Sequence, residues 1–89
     1  MNLIDGDELK QKLDRGDDFK LVMVLNERAF RLKHIPGSIN VFVQSIKPGM
    51  NLLSPDDEIV VYCTGGPCIA STFAYRTLAD LGFQKLLHY

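Results

Sequence analysis

Ile59-Val60-Val61-Tyr62 is a short β-branched run that ends in Cys63, passes through Thr64-Gly65-Gly66-Pro67-Cys68 and enters a helical pattern at Ile69-Ala70-Ser71. A run of this kind, bounded by glycines and a proline, reads as a strand, a tight loop and a helix start. The combination restricts the fold to layered α/β arrangements in which a strand hands directly to a helix. In an open α/β sheet, reactive groups collect where strand C-termini meet helix N-termini, because loop amides and the positive end of the helix dipole converge there. A thiol at that point is biased towards thiolate, the nucleophilic form. Cys63 is therefore the candidate for the chemistry.

The remaining segments supply the other parts of such a sheet. Ile4-Asp5-Gly6-Asp7-Glu8-Leu9 has the spacing of a capping box at Asp5 and Glu8 and of a hydrophobic staple at Ile4 and Leu9. Leu9 and Leu13 are expected to share one helix face, and Gly16 offers a left-handed stop. Phe19 to Leu25 is nearly all apolar with no helical period, which suits a strand covered on both faces of a parallel sheet. Asn26 can cap a short helical turn from Glu27 to Lys33, with Ala29, Phe30 and Leu32 turned inward.

His34-Ile35-Pro36-Gly37-Ser38-Ile39-Asn40-Val41 then reads as a rigid turn feeding a second short strand. Between 42 and 58, Pro48-Gly49 and Ser54-Pro55-Asp56-Asp57 are turn signals around an apolar plug of Met50, Leu52 and Leu53. No chemistry is assigned to that stretch. Beyond the Cys63 loop, Phe73, Ala74, Thr77, Leu78 and Leu81 lie at helical spacing, with Arg76 and Asp80 towards water. Gly82 ends this helix, and Lys85 to Tyr89 form one more strand. The crossovers are of the kind a parallel sheet needs.

Composition narrows the function classes. With 89 residues, 46% hydrophobic and 24% charged, the chain is expected to be one globular domain over 1–89. A formal net charge of −1 gives no bulk attraction to nucleic acid or an anionic membrane, so neither is an expected partner. No apolar stretch approaches the roughly 20 residues that span a bilayer, and the N-terminus lacks a basic-then-apolar signal pattern. The expectation is a cytoplasmic protein. Two cysteines, Cys63 and Cys68, are too few for a secreted disulfide framework and suit redox or sulfur chemistry better.

Taken together, these segments resemble the single-domain rhodanese-like family. The resemblance is carried by Glu8-Leu9 in an early helix, the apolar strand, and His34-Ile35-Pro36-Gly37-Ser38-Ile39-Asn40. It continues through Val60-Val61-Tyr62-Cys63, the loop, and Leu81-Gly82-Phe83 closing the next helix. It implies an α/β fold, an open parallel sheet of about four to five strands with helices on both faces. It also implies a loop cysteine that carries sulfur as a persulfide between a donor and a thiophilic acceptor.

Four departures qualify the likeness. Met23 stands where an acidic residue usually ends the first long strand, and Leu25 replaces the usual arginine, as in a branch of the family with a second loop cysteine. The loop is extended, so that Ser71 falls two residues later than in the commonest form. It contains no Arg or Lys of the kind that helps better-known sulfurtransferases hold an anionic donor. Finally, the chain stops at Tyr89, before the glycine pair and tryptophan that typically follow, which leaves room for a longer natural protein.

The loop chemistry also follows from the residues themselves. A persulfide carries negative charge on its outer sulfur, which converging backbone N–H groups stabilise. Gly65 and Gly66 permit the dihedrals of such a cradle and Pro67 stiffens it. The persulfide-binding loop is accordingly assigned to Thr64, Gly65, Gly66, Pro67, Cys68, Ile69, Ala70 and Ser71, without a cofactor. Cys68 is either a resolving thiol that closes a disulfide with Cys63 or a small packing residue. His34 is read as structural rather than as a base for Cys63. His88 and Tyr89 stand at the C-terminal end of the last strand, on the edge that carries the loop, where they either line the site or, by default, lie at the surface. A zinc site from Cys63, Cys68, His34 and His88 is disfavoured by the cysteine spacing and the lack of a second cysteine pair.

Three functions stay open. One is a sulfurtransferase or persulfide carrier acting through Cys63, with thiosulfate, a polysulfide or a protein persulfide as donor. Its acceptor would be cyanide, a thiol or a partner protein's cysteine. The others are a thiol redox protein cycling Cys63 and Cys68, and a non-catalytic rhodanese-like binding module. A cysteine phosphatase is disfavoured because the loop has no arginine to clamp phosphate. Thiosulfate turnover is expected to be weak even where the persulfide forms.

Overall fold

The computed structural model describes residues 1–47, 53–63 and 69–89. The loop residues Thr64, Gly65, Gly66, Pro67 and Cys68 and the plug residues Met50 and Leu52 lie outside them. Within the described residues, helix α1 spans Gly6–Arg15, strand β1 Lys20–Met23, helix α2 Glu27–Leu32 and strand β2 Ile39–Asn40. A 3₁₀ turn at Val43–Ser45 leads on to strand β3 (Ile59–Tyr62), helix α3 (Ile69–Asp80) and strand β4 (Leu86–His88).

Local chemistry starts and stops α1. The Asp5 carboxylate accepts the Glu8 N–H at 2.8 Å, and the Glu8 carboxylate accepts the Asp5 N–H at 3.4 Å, which closes the capping box. Gly16 ends the helix with φ 71°, a left-handed conformation that residues with a Cβ adopt only at a cost. The buried face differs from the expected Leu9–Leu13 pair, because Leu13 is 40% exposed. Lys12 takes the inward place beside Leu9, with its ammonium 3.0 Å from the Glu58 carboxylate and 5.0 Å from the Phe19 ring centroid. Its aliphatic stem is covered while its charge stays paired.

Among the described residues, four strands form one parallel sheet in the order β2-β1-β3-β4. Side chains alternate across it. Val22, Val24, Ile59, Val61, Cys63 and Leu86 face one side, where Ala74 and Leu78 of α3 pack. Leu21, Met23, Val60 and Tyr62 face the other, with Leu9 of α1 and with Ala29 and Phe30 of α2. Helices therefore cover both faces, and this is why the strands read as unbroken apolar runs. Leu53, expected in the apolar plug, is buried on the α3 side.

Two helix faces need correction. Leu32 is 78% exposed rather than inward, since about 100° of rotation per residue puts it on the far side of α2 from Phe30. Phe73 is 60% exposed, because the buried face of α3 is centred on Ser71, Ala74 and Leu78, spaced by three and four residues.

Candidate functional site

The strand order fixes where a site can lie. From β1 the chain moves outward to β2, then returns to place β3 on the other side of β1 and β4 beyond it. The connections therefore diverge above the C-terminal ends of β1 and β3, the switch point at which open α/β sheets bind ligands. Cys63 follows β3 directly at this point, 7% exposed, with Ala70 and Ala74 of α3 in the same apolar cluster. Its sulfur is disulfide-bonded. Ile69, Ala70 and Ser71, counted with the persulfide-binding loop, form the first turn of α3, where the helical pattern begins. The role read for Cys68 lies outside the described residues.

The rim beside Cys63 is braced by neutral side chains. The Tyr62 hydroxyl accepts the Ile35 N–H at 2.9 Å and lies 2.8 Å from the Ser38 hydroxyl, which in turn donates to the Ile35 carbonyl at 2.7 Å. This closed set of bonds ties the turn after α2 to the strand that ends in Cys63. Asn40 spans the end of β1, its amide donating to the carbonyls of Met23 at 3.0 Å and Leu25 at 2.7 Å. Met23 is fully buried, and its thioether accepts the Leu25 N–H at 3.3 Å. Position 23 thus keeps an acceptor, a weak one, without a charge.

The two histidines are employed differently. His34 is exposed, stacked on Phe30 with ring centroids 3.9 Å apart, and its Nδ1 lies 2.7 Å from the Phe30 carbonyl. It finishes α2 rather than facing Cys63. His88 sits at the end of β4, and its Nε2 is 2.7 Å from the hydroxyl of Ser71, a residue only 1% exposed. Burial holds the His88 imidazole below its ordinary pKa. The sequence reading set His88 on the edge that carries the loop, lining the site or at the surface, and did not foresee this bond. Its only signal was that both residues lie beside the same sheet edge. Among the described residues, no three His, Cys, Asp or Glu side chains gather as a metal site. Among the same residues no helix is long and apolar enough to cross a membrane.

An anion with a nucleophilic sulfur suits such a place, where first-turn amides of a helix meet a strand end. A Mycobacterium tuberculosis (strain ATCC 25618 / H37Rv) protein, HTH-type transcriptional regulator Rv0324, is 32% identical over 75 residues. That match takes in 84% of this chain and 33% of the regulator, so the chain spans about a third of its curated relative. Human single-domain sulfurtransferase TSTD1 has the same fold, with a TM-score of 0.82 at 20% identity over 100% of this chain and 88% of that one. The Saccharomyces cerevisiae single-domain sulfurtransferase RDL2 gives 0.79 at 18% identity, over 99% and 81% respectively. Residues 5–89 match the rhodanese-like domain family, to which this chain belongs.

Proposed function

We propose that the chain is a sulfurtransferase or persulfide carrier whose nucleophile is Cys63. The observation that carries this reading is the position of Cys63 at the end of β3, at the switch point of a rhodanese-like sheet and against the first turns of α3. A thiol reductant first supplies two electrons and two protons to the Cys63 disulfide. The Cys63 thiolate then attacks the sulfane sulfur of the donor. A new S–S bond forms at Cys63, and the donor's S–S bond breaks with its electron pair leaving on the departing group, sulfite in the case of thiosulfate. An acceptor thiolate or cyanide next attacks the outer sulfur, and the Cys63 thiolate leaves. The loop 64–71 has no Arg or Lys, so in this reading backbone amides and the α3 dipole hold the persulfide. The partners are a small sulfur donor and a thiophilic acceptor.

The disulfide on Cys63 favours a second reading, a thiol redox protein in which Cys63 and Cys68 alternate between dithiol and disulfide. One experiment separates the two. The reduced chain is incubated with thiosulfate or polysulfide and weighed by intact mass. The expected result is an adduct of one sulfur that Cys63→Ser abolishes and Cys68→Ser retains. An adduct that persists in Cys63→Ser overturns the nucleophile. Absence of any adduct, with a disulfide that forms and reduces reversibly, decides for the redox protein.

A further inference from the structure

His88 is held firmly by backbone and reaches across to α3 by side chain. Its N–H donates to the Asn2 carbonyl at 2.8 Å and its carbonyl accepts the Ile4 N–H at 3.0 Å, while β4 pairs with β3 so that His88 stands opposite Val61. Cys63 lies two residues beyond Val61, just past the end of β3 and about 7 Å on, and faces the same side of the sheet as Val61. The His88 ring therefore occupies the α3 face of the rim, one pleat repeat short of the Cys63 sulfur. From there its Nε2 meets Ser71 Oγ at 2.7 Å. Tyr75 is the nearby titratable side chain of α3, with its ring centroid 6.4 Å away. Its hydroxyl is turned to the Asn2 N–H at 3.0 Å and the Leu86 carbonyl at 3.4 Å.

Ser71 belongs to the first turn of α3, the turn whose amides lack intrahelical acceptors and carry the positive end of the helix dipole. That field acts over about one turn, so its effect on a sulfur anion depends on where the turn is held. The part-buried Ser71–His88 bond ties that turn to the sheet side.

We propose that His88 is a positioning residue for Cys63: through its bond to Ser71 it pins the first turn of α3 against the sheet rim and sets how closely that turn's amides approach the sulfur. This rests on Cys63 being the reactive thiol. The ring is neutral at neutral pH, because burial disfavours its cation. Replacing it therefore removes a hydrogen bond and leaves the local charge unchanged.

The test needs no sulfur donor, so its failure is distinct from failure of the transfer reading. In a Cys68→Ser background, where Cys63 is the sole thiol, the thiolate is titrated by its ultraviolet absorbance. His88→Ala is expected to raise the Cys63 titration midpoint by about half a unit, the size of a typical helix-dipole effect. Ser71→Ala should give the same shift. The double variant should go no further than either alone, and His88→Gln, whose amide reaches the Nε2 position, should restore most of it. Unchanged midpoints in His88→Ala and Ser71→Ala overturn the proposal, even if both lower the melting temperature. So do shifts that add in the double variant, or a shift that His88→Gln leaves in place.

Discussion

Tyr62→Phe isolates the bonds that tie the turn after α2 to the strand beneath Cys63. Tyr62 is 3% exposed, so the substitution keeps the packed ring and deletes only the hydroxyl. The Ser38 hydroxyl already donates to the Ile35 carbonyl. Tyr62 therefore donates to Ser38 while it accepts from the Ile35 N–H. Phenylalanine removes both bonds and leaves the Ile35 N–H without this acceptor. At about 1 kcal/mol net for each bond, the loss is roughly 2 kcal/mol. In a domain of this size it lowers Tm by about 8–16 °C.

The assay is urea unfolding followed by circular dichroism, under reducing conditions so that the disulfide does not alter the unfolded reference state. Ser38→Ala and the double variant complete a cycle, with an expected coupling of about 1 kcal/mol. A loss below about 0.5 kcal/mol, or full additivity with Ser38→Ala, would refute the reasoning.

Two further outcomes follow from local chemistry. Asp5→Ala opens the capping box of α1 and is expected to cost about 1 kcal/mol in the same unfolding assay, whereas Asp5→Asn should cost a few tenths. Burial lowers the pKa of His88 from its ordinary 6.5, so the unfolded chain takes up its proton first as pH falls. This group leaves stability untouched above about pH 6.5 and removes it progressively from there down to the folded-state value. His88→Gln should flatten that part of a stability–pH profile, and an equal decline in the variant would assign the effect to other groups.

What was legible in the sequence is what is decided locally. The capping box at Asp5 and Glu8, the Asn26 cap and the Gly16 stop depend on residues within one or two turns, and each stands where the spacing put it. The apolar run at 19–25 announced a strand covered on both faces, and the run at 59–62 announced another strand. Exposure of Leu13, Leu32 and Phe73 was not legible, because an apolar residue beside a helix's buried stripe differs little in sequence from one within it. Lys12 takes the inward place because Glu58, distant in sequence, offers a counter-charge and Phe19 a ring face. The Ser71–His88 bond was hidden for the same reason, since parallel pairing of β3 with β4 brings those residues together across a helix and a turn.

The same pairing clarifies how the rim differs from the commoner rhodanese-like pattern. A carboxylate at position 23 would be fully buried here and would need a compensating charge. Methionine avoids that cost by offering its thioether to the Leu25 N–H, while Asn40 bridges the Met23 and Leu25 carbonyls. The side chains that brace the rim, Met23, Asn40, Tyr62, Ser38, Ser71 and a neutral His88, contribute no net charge, and the loop 64–71 adds no Arg or Lys. On the sulfur-transfer reading, the negative sulfur of a persulfide on Cys63 is then met by oriented amides and the α3 dipole. Dipoles lose strength with distance and angle more steeply than a full charge does. A site built from them depends on where its elements are held, and the bonds of Tyr62, Asn40 and His88 join the segments at this rim to one another.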